Sequence, residues 1–315
     1  MAMTWRILIS APYFLPVVEE YRAQLEAEGL ELLIADVRER LSEAELLTLV
    51  PGIHGAICGD DRFTERVLEA ATHLKVISKW GTGIDSIDLR AAARLGIRVC
   101  NTPDAFSDGV ADSTLGYILN LARQLFAMDH EMRSGRWIKR DAITLRECTL
   151  GVVGVGNIGK AVVRRAVAFG MTVVGYDPAS VSQSFLTETG LKPVSLAELL
   201  RSSDFVTLHC DLNSTSYHLI DRPQLELMRS TAYLINTSRG PVVNEPALVE
   251  ALRSGRIAGA ALDVFENEPL PIDSPLRALN NCLLAPHNSN SGPAAKKRVH
   301  ESTIRNLLAG LKQAR

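Results

Sequence analysis

Short apolar segments rich in β-branched residues alternate with segments of helical periodicity along most of this chain of 315 residues. WRILIS, HGAICG and LKVISKW are examples of the apolar kind, and segments such as TERVLEAAT lie between them. Strands that alternate with helices in this way are typical of β-α units wound around a parallel sheet. The alternation therefore predicts α/β architecture.

The alternation is interrupted once, after the tripeptide NTP at residues 101–103. Apolar residues from Val110 to Phe126 then form a helical stripe longer than any before it. We predict one helix over residues 109–133 and a domain boundary near Asp104. Because 315 residues exceed the usual size of one hydrophobic core, two domains with a cleft between them are expected.

Strand and helix segments resume at TLGVVGVG and continue to NCLLAP. They predict a second sheet of about six strands, which is the size of a dinucleotide-binding fold. The last helical segment, residues 293–311, has no strand after it. We expect this segment to return to the first domain.

Composition excludes several classes of partner. With 46% hydrophobic residues, 22% charged residues and a net charge of -2, the chain has no electrostatic basis for binding nucleic acid or an anionic membrane. No apolar run approaches the length of a membrane span. The cysteines are odd in number and scattered, without a C-x-x-C pair, which disfavours a disulfide framework or a zinc site. They are Cys58, Cys100, Cys148, Cys210 and Cys282. We predict a cytoplasmic protein that binds a small molecule, with no metal.

A glycine-rich segment, GVGNIG, follows a predicted strand and begins a predicted helix. In this setting Gly154 permits a tight turn, Gly156 lets a pyrophosphate approach the backbone, and Gly159 lets helix and strand pack closely. The next strand ends in Asp177, at the spacing where an acid accepts hydrogen bonds from the adenosine ribose. A carboxylate there repels the 2′-phosphate of NADP, and no arginine follows in residues 177–180. These features favour NAD over a glycine-rich turn without a ligand.

Three later predicted strands are followed by residues whose side chains could take part in catalysis. Arg239 follows one strand, the acids Asp263, Glu266 and Glu268 follow the next, and His287 follows the third. Each of these residues also has a non-catalytic interpretation. The arginine and the acids could be solvated loop residues, and the histidine could lie at the surface or in the core. Together beside a dinucleotide site they favour catalysis, because hydride transfer to a carbonyl needs an acid for the developing alkoxide and a cation to hold it.

Several segments together are specific to one family. They are KWGTGIDSIDL, NTPDAFSDGVADSTLGYILNLAR, GVGNIG, LINTSRGPVVNEPALVEAL, ALDVFENEP and LLAPH. In them the chain resembles the D-isomer-specific 2-hydroxyacid dehydrogenases, most closely the phosphoglycerate dehydrogenase-like branch. The resemblance implies two doubly wound parallel-sheet domains with an interdomain cleft. It implies a flavodoxin-like substrate-binding domain of residues 1–103 plus 288–315 and a Rossmann NAD-binding domain of residues 104–287.

The resemblance also implies roles for individual residues. Arg239 would orient the substrate, Glu268 would pair with His287, and His287 would be the acid/base. Asp263 would hold the nicotinamide carboxamide. The remaining residues expected near the cofactor are Thr82, Gly154, Gly156, Asn157, Ile158, Gly159, Asp177, His209, Cys210, Thr237 and Ser238. His209 has an alternative interpretation as an ordinary strand residue.

Backbone amides of the turn Gly81-Thr82-Gly83 are implied to bind the substrate carboxylate, with Lys79 and Trp80 beside them. Lys79 has an equal alternative as a strand-end lysine that faces water. The chain departs from the phosphoglycerate dehydrogenases where they carry an arginine for the substrate phosphate, because Cys58 occupies that place. Asp60 and Asp61 beside it are expected to repel a dianion unless Arg62 turns inward.

The leading hypothesis is an NAD-dependent oxidoreductase that interconverts a D-2-hydroxy acid and its 2-oxo acid. An NADH-sensing corepressor on the same scaffold is the first alternative, although the chain lacks the tails and basic patch expected of one. Oxidation of a one-carbon donor such as formate is a weaker one. The helix at 109–133 and the segment after it resemble the region through which the family dimerises, so a homodimer is expected.

Overall fold

The computed structural model describes residues 4–314 and divides the chain into two compact units. One unit contains the chain up to Phe106 together with the segment that starts at Ser291, and the other contains Ser107–Asn290. The predicted domains ended at 103 and 287, so both observed crossovers lie slightly later in the chain.

The first unit contains a five-stranded parallel sheet in the order β2-β1-β3-β4-β5. This is the flavodoxin-like order that the resemblance implied. The strands are β1 (Trp5–Ile9), β2 (Leu30–Ile34), β3 (Gly55–Cys58), β4 (Val76–Lys79) and β5 (Arg98–Cys100). The helices are α1 (Val18–Ala27), α2 (Glu43–Leu49), α3 (Glu65–Ala70) and α4 (Leu89–Arg94), to which the last helix of the chain is added.

The last helix, α12 (Pro293–Gln313), packs on β3, β4 and β5 of this first unit. Two glycines make the contact close. A Cβ atom on Gly55 would lie 2.8 Å from Leu307, and one on Gly310 would lie 2.5 Å from Val76. The expectation that the C-terminal segment returns to the first domain is therefore confirmed.

The second unit contains a seven-stranded parallel sheet in the order β12-β11-β10-β9-β6-β7-β8. Its strands are β6 (Thr149–Val153), β7 (Thr172–Tyr176), β8 (Lys192–Pro193), β9 (Phe205–Leu208), β10 (Tyr233–Asn236), β11 (Gly259–Leu262) and β12 (Cys282–Leu284). Its helices are α5 (Ser107–Arg123), α6 (Leu125–Arg133), α7 (Asn157–Ala168), α8 (Gln183–Thr189), α9 (Leu196–Ser202), α10 (Arg222–Leu227) and α11 (Glu245–Arg253). The prediction of about six strands missed β8, which has only two residues.

The direction of winding reverses at β6, which pairs with β7 on one side and with β9 on the other. The chain runs from β6 outward to β8 and then returns to β9 before it continues to β12. Ligands of open α/β sheets bind at the carboxyl ends of the strands at such a point. The glycine-rich loop follows β6 and therefore lies there.

The helix predicted over residues 109–133 is two helices, so that prediction was wrong in one respect. Gln124 separates α5 from α6 and adopts a left-handed conformation with φ of 54°. Its side chain donates to the Asp141 carbonyl at 2.8 Å, and Asn120 accepts the Phe126 N–H at 2.9 Å. These side-chain bonds satisfy backbone groups at the break, which the apolar periodicity alone does not reveal.

We predict opposite effects for two glycine-to-alanine changes in helices. Gly310→Ala should destabilise the first unit by about 1–3 kcal/mol, because the new methyl group meets Val76 and overpacks the helix against the sheet. Gly116→Ala in α5 is the control, since a Cβ there meets no described atom within 4 Å. It should stabilise by roughly 0.5–1 kcal/mol through helix propensity. Thermal and urea unfolding of both variants test this, and a stabilised Gly310→Ala would contradict the packing argument.

Candidate active site

The first and third glycines of the loop after β6 are required by contacts within the protein. Gly154 has φ of +88°, and a Cβ atom there would lie 2.7 Å from the backbone of His209 and Cys210. A Cβ atom on Gly159 would lie 2.1 Å from the Gly154 carbonyl oxygen. The loop thus lies against the end of β9, and the start of α7 lies against the loop.

The second glycine, Gly156, differs because nothing within the described chain requires it. Its φ of -73° and ψ of -158° suit other residues, and a Cβ there would meet no described atom within 4 Å. Gly156 is the N-cap of α7, and no side chain caps the amides of this twelve-residue helix. Exposed Asn157 and half-buried Ile158 begin it. Open space in front of uncapped helical N–H groups fits the diphosphate of a dinucleotide.

Asp177 follows β7 and holds the glycine loop. Its Oδ2 accepts the Val155 N–H at 2.7 Å, and its Oδ1 accepts the Ala179 N–H at 2.8 Å. A carboxylate has about four acceptor positions, so about two remain for ribose hydroxyls. The side chain is half-exposed and can reach such a ligand.

His209 and its neighbours form a neutral polar group at the ends of β9 and β10. The His209 Nε2 lies 2.9 Å from the Thr207 hydroxyl, and its Nδ1 lies 3.4 Å from the Thr237 hydroxyl. Burial lowers the pKa of His209 to about 3, so the imidazole is neutral at physiological pH. Burial also raises the pKa of Cys210 to about 11. Ser238 donates through its N–H and its hydroxyl to the Asn236 side chain at 3.0 and 2.8 Å.

His287 and Glu268 form a hydrogen-bonded pair beyond the ends of β12 and β11. The His287 Nδ1 lies 2.9 Å from Glu268 Oε2, and Glu268 Oε1 accepts the Phe265 N–H at 2.9 Å. The histidine side chain is 25% exposed and the glutamate side chain 18% exposed. The imidazole is therefore oriented by a largely buried acid and still reachable by a ligand.

Arg239 follows β10, the strand next to β11. Its own carbonyl accepts the Asn236 side-chain N–H at 2.9 Å, and its guanidinium donates to the Ser238 carbonyl at 3.0 Å. The adjacent Gly240 packs against the Phe265 backbone so tightly that a Cβ would lie 1.9 Å from it. The arginine turn and the segment that carries Glu268 are thus in direct backbone contact.

Of the three acids after β11, Glu268 is the one whose carboxylate hydrogen-bonds to the His287 imidazole. Glu266 instead pairs with His218 at 2.9 Å and accepts the Glu245 N–H at 3.1 Å. Sequence alone left this choice among the acids open before the resemblance was considered.

Asp263 is 2% exposed and holds the backbone that follows His287. Its carboxylate accepts the N–H groups of Asn288 and Ser289, each at 2.9 Å, and the Tyr117 hydroxyl at 3.4 Å. These bonds use three of its about four acceptor positions. The sequence did not predict that Asp263, in contact with Tyr117 and Ser289, positions the backbone that follows His287. The tyrosine lies within the quoted helix segment but carries no motif of its own.

Apart from Arg239, the residues predicted to bind substrate lie in the first unit, at and after the end of β4. Gly81 has φ of +127°, and buried Trp80 donates through its indole N–H to His300 Nδ1 at 3.0 Å. The Thr82 hydroxyl donates to the Thr102 carbonyl at 3.1 Å, and the Thr82 carbonyl accepts from Asn101 at 2.6 Å. Gly83 is half-exposed. The turn is therefore fixed by side chains on both sides.

Lys79 does not face water, so that alternative was wrong. Its side chain is 4% exposed and pairs with Asp60 at 3.0 Å. The expectation for Asp61 was also wrong, because its carboxylate is buried and accepts from the Ser10 hydroxyl and the Leu41 N–H, both at 2.6 Å. Desolvation raises the pKa of Asp61 despite these bonds.

Within residues 4–314, no helix has both the length and the apolar character needed to cross a bilayer. The five cysteines are all free thiols.

Comparison with known proteins gives the family. Residues 115–289 match the family described as "D-isomer specific 2-hydroxyacid dehydrogenase, NAD binding domain". A glyoxylate reductase of Thermofilum pendens is 41% identical over 281 residues, which are 86% of this chain and 82% of that protein. A D-3-phosphoglycerate dehydrogenase of Methanocaldococcus jannaschii is 38% identical over 314 residues, which are 97% of this chain but 58% of the relative.

A solved structure extends the likeness to the fold of the whole chain. The D-lactate dehydrogenase of Aquifex aeolicus, in complex with NAD and lactic acid, has a TM-score of 0.88 and 29% identity, with 98% of this chain and 96% of that chain covered. The match to an NAD-binding family confirms the predicted cofactor class and the resemblance. The chain belongs to the D-isomer-specific 2-hydroxyacid dehydrogenase family.

Proposed function

We propose that this protein uses NAD to interconvert a D-2-hydroxy acid and its 2-oxo acid, with His287 as the acid/base. The observation that carries the proposal is the 2.9 Å hydrogen bond between His287 and Glu268 at the carboxyl edge of a sheet whose glycine loop fits a dinucleotide. The corepressor and formate alternatives gain no support from a specific contact among the described residues.

The dinucleotide supplies or accepts the hydride when it is bound. Glu268 holds Nδ1 of His287, which leaves Nε2 as the nitrogen for the substrate oxygen. A carboxylate hydrogen-bonded to imidazole favours the protonated form, so a proton is available to the alkoxide that develops during reduction. In the oxidation direction the same nitrogen accepts the hydroxyl proton. Arg239 supplies the positive charge that orients the substrate carbonyl and carboxylate.

We further propose that the turn at Gly81–Gly83 binds the substrate carboxylate through its backbone amides. Gly81 with its positive φ has a conformation that lets successive N–H groups point to one side. Glyoxylate is the first substrate to test, because one of the similar proteins is a glyoxylate reductase. The five free thiols fit the proposed location in the reducing cytoplasm.

We propose that the protein is a homodimer joined through α6 and the segment after it. Several large apolar side chains are exposed in this segment. A cluster of exposed large apolar side chains is unusual on a monomeric protein and is typical of an interface. The exposed residues are Leu125 (48% exposed), Phe126 (66%), Met132 (53%), Trp137 (79%) and Ile138 (48%).

Loss of His287 should remove the proton transfer. His287→Ala should lower kcat/KM for glyoxylate reduction by about 10²–10⁴, the usual contribution of general acid catalysis. Glu268→Gln should also lower kcat/KM for glyoxylate reduction, because the imidazole loses the carboxylate that orients its Nδ1. The matched control is Glu266→Gln, whose acid pairs with His218 at the same 2.9 Å. An equal loss of kcat/KM in both glutamine variants would contradict the assignment.

Asp177 should decide between the two dinucleotides. Asp177→Asn removes the charge and keeps one oxygen for the Val155 N–H. The ratio of kcat/KM for NADH to that for NADPH should fall by about tenfold or more, because the repulsion of the 2′-phosphate is lost. Asp273→Asn in an exposed loop is the control and should leave the ratio unchanged. An unchanged ratio in Asp177→Asn would remove the basis for NAD preference.

Light scattering after size exclusion tests the dimer. The expected mass is about twice the 34.4 kDa of the chain. Phe126→Asp with Trp137→Asp should give the monomer mass, because two charges then enter the apolar contact. Ile272→Asp, at a residue 88% exposed outside this patch, should leave the dimer intact. A wild-type monomer at micromolar concentration refutes the proposal.

A further inference from the structure

Lys79 is a buried ammonium placed at the proposed substrate turn. It ends β4, and within residues 4–314 it is the only lysine or arginine in the buried class. Its Nζ donates to the Trp80 carbonyl at 3.3 Å, and a Cβ atom on Gly81 would lie 3.6 Å from Nζ. The charge therefore lies against the backbone whose amides are proposed to bind the substrate.

Asp60 neutralises this ammonium. Its Oδ1 lies 3.0 Å from Lys79 Nζ, and its side chain is 38% exposed while that of the lysine is 4% exposed. Isolated buried charges are strongly unfavourable, so the carboxylate is the partner that makes a buried lysine tolerable. A ligand that approaches this end of the sheet thus meets a closed ion pair whose acidic member is the accessible one.

The loop that carries Asp60 is fixed. Asp61 lies inside the first unit, where its carboxylate accepts the Ser10 hydroxyl, the Leu41 N–H and, at 3.2 Å, the Gly59 N–H. The Lys79 and Cys58 backbones are also paired partners in the sheet. Arg62, which follows Asp61, is exposed. Asp60 is therefore held beside Lys79 by the structure around it.

We propose that Asp60 determines substrate specificity by occupying Lys79, an inference that rests on the proposed function. The pair selects 2-oxo monocarboxylates with a small uncharged side chain, such as hydrogen or hydroxymethyl, which leave it intact. A substrate with a second anionic group, whether carboxylate or phosphate, is repelled by Asp60 and meets a Lys79 ammonium that is already paired. Specificity of this kind depends on a repulsive element as much as on an attractive one.

Steady-state kinetics with glyoxylate, oxaloacetate and phosphohydroxypyruvate test the proposal on the full-length protein. The measured quantity is kcat/KM for each substrate with a second anionic group, oxaloacetate or phosphohydroxypyruvate, divided by kcat/KM for glyoxylate. Asp60→Asn should raise this ratio at least tenfold, mainly through a lower KM, because the ammonium becomes available. Lys79→Gln should lower this ratio, because the ammonium that pairs with Asp60 is then removed while the Asp60 charge stays. Glu69→Gln, which removes an exposed acid paired with Arg94 at 2.8 Å, should leave it unchanged.

A second readout does not depend on turnover. Sulfate at millimolar concentration should raise the melting temperature of Asp60→Asn over that in chloride at equal ionic strength, and should not do so for wild type. If Asp60→Asn does not fold, the ratio measured for Lys79→Gln is the deciding result. That variant is expected to fold because the Asp60 side chain is partly exposed to solvent. The inference is overturned if the ratio is unchanged or raised in Lys79→Gln, or if the wild type prefers the substrates with a second anionic group. Wild-type inactivity with glyoxylate and every other 2-oxo acid tested would instead count against the proposed function.

Discussion

The parallel pairing of β10, β11 and β12 is the constraint on which the candidate active site depends. Ala261 lies opposite Ile235 on one side and Leu283 on the other, so three neighbouring strands end at one edge. The hydrogen-bonded ladder continues past the strand ends, because Asp263 N–H donates to Asn236 at 3.0 Å and His287 N–H donates to Asp263 at 2.8 Å. The backbones that carry the reactive side chains are therefore fixed by the sheet rather than by their loops. A register slip of one residue would reverse the face of every side chain that follows.

Sequence patterns locate this edge because strand ends are visible as changes from apolar to polar residues. The strands before Arg239 and His287 were predicted from apolar runs, and the glycine loop was predicted from its spacing after β6. The choice of Glu268 over Glu266 was not available from such patterns. Both acids lie in one short irregular segment, and the distance of each from His287 depends on the path of the backbone between them. Family resemblance identified Glu268, and the 2.9 Å contact gives the physical reason.

Two other features could not be predicted because distant contacts decide them. The apolar stripe of α5 continues into α6 without a change of period, while the break at Gln124 is stabilised by the carbonyl of Asp141, seventeen positions later. Asp61 looks like a solvated acid in the sequence, yet Ser10 and Leu41 enclose it from far along the chain. Local sequence patterns indicate helix propensity and the expected exposure of a side chain. Contacts with distant residues override both where they satisfy a polar group that would otherwise be unpaired.

Each unit contains the same kind of pair, in which an acid is hydrogen-bonded to a basic side chain at the carboxyl ends of adjacent strands. In the second unit the largely buried acid is Glu268, and the partly exposed imidazole is the group that a ligand meets. In the first unit the order is reversed, since Lys79 is buried and the half-exposed Asp60 is met first. The exposed member of a pair determines what the site accepts, because solvent and ligands compete only for that member. The Glu268 pair therefore presents an imidazole, and the Asp60 pair presents a carboxylate.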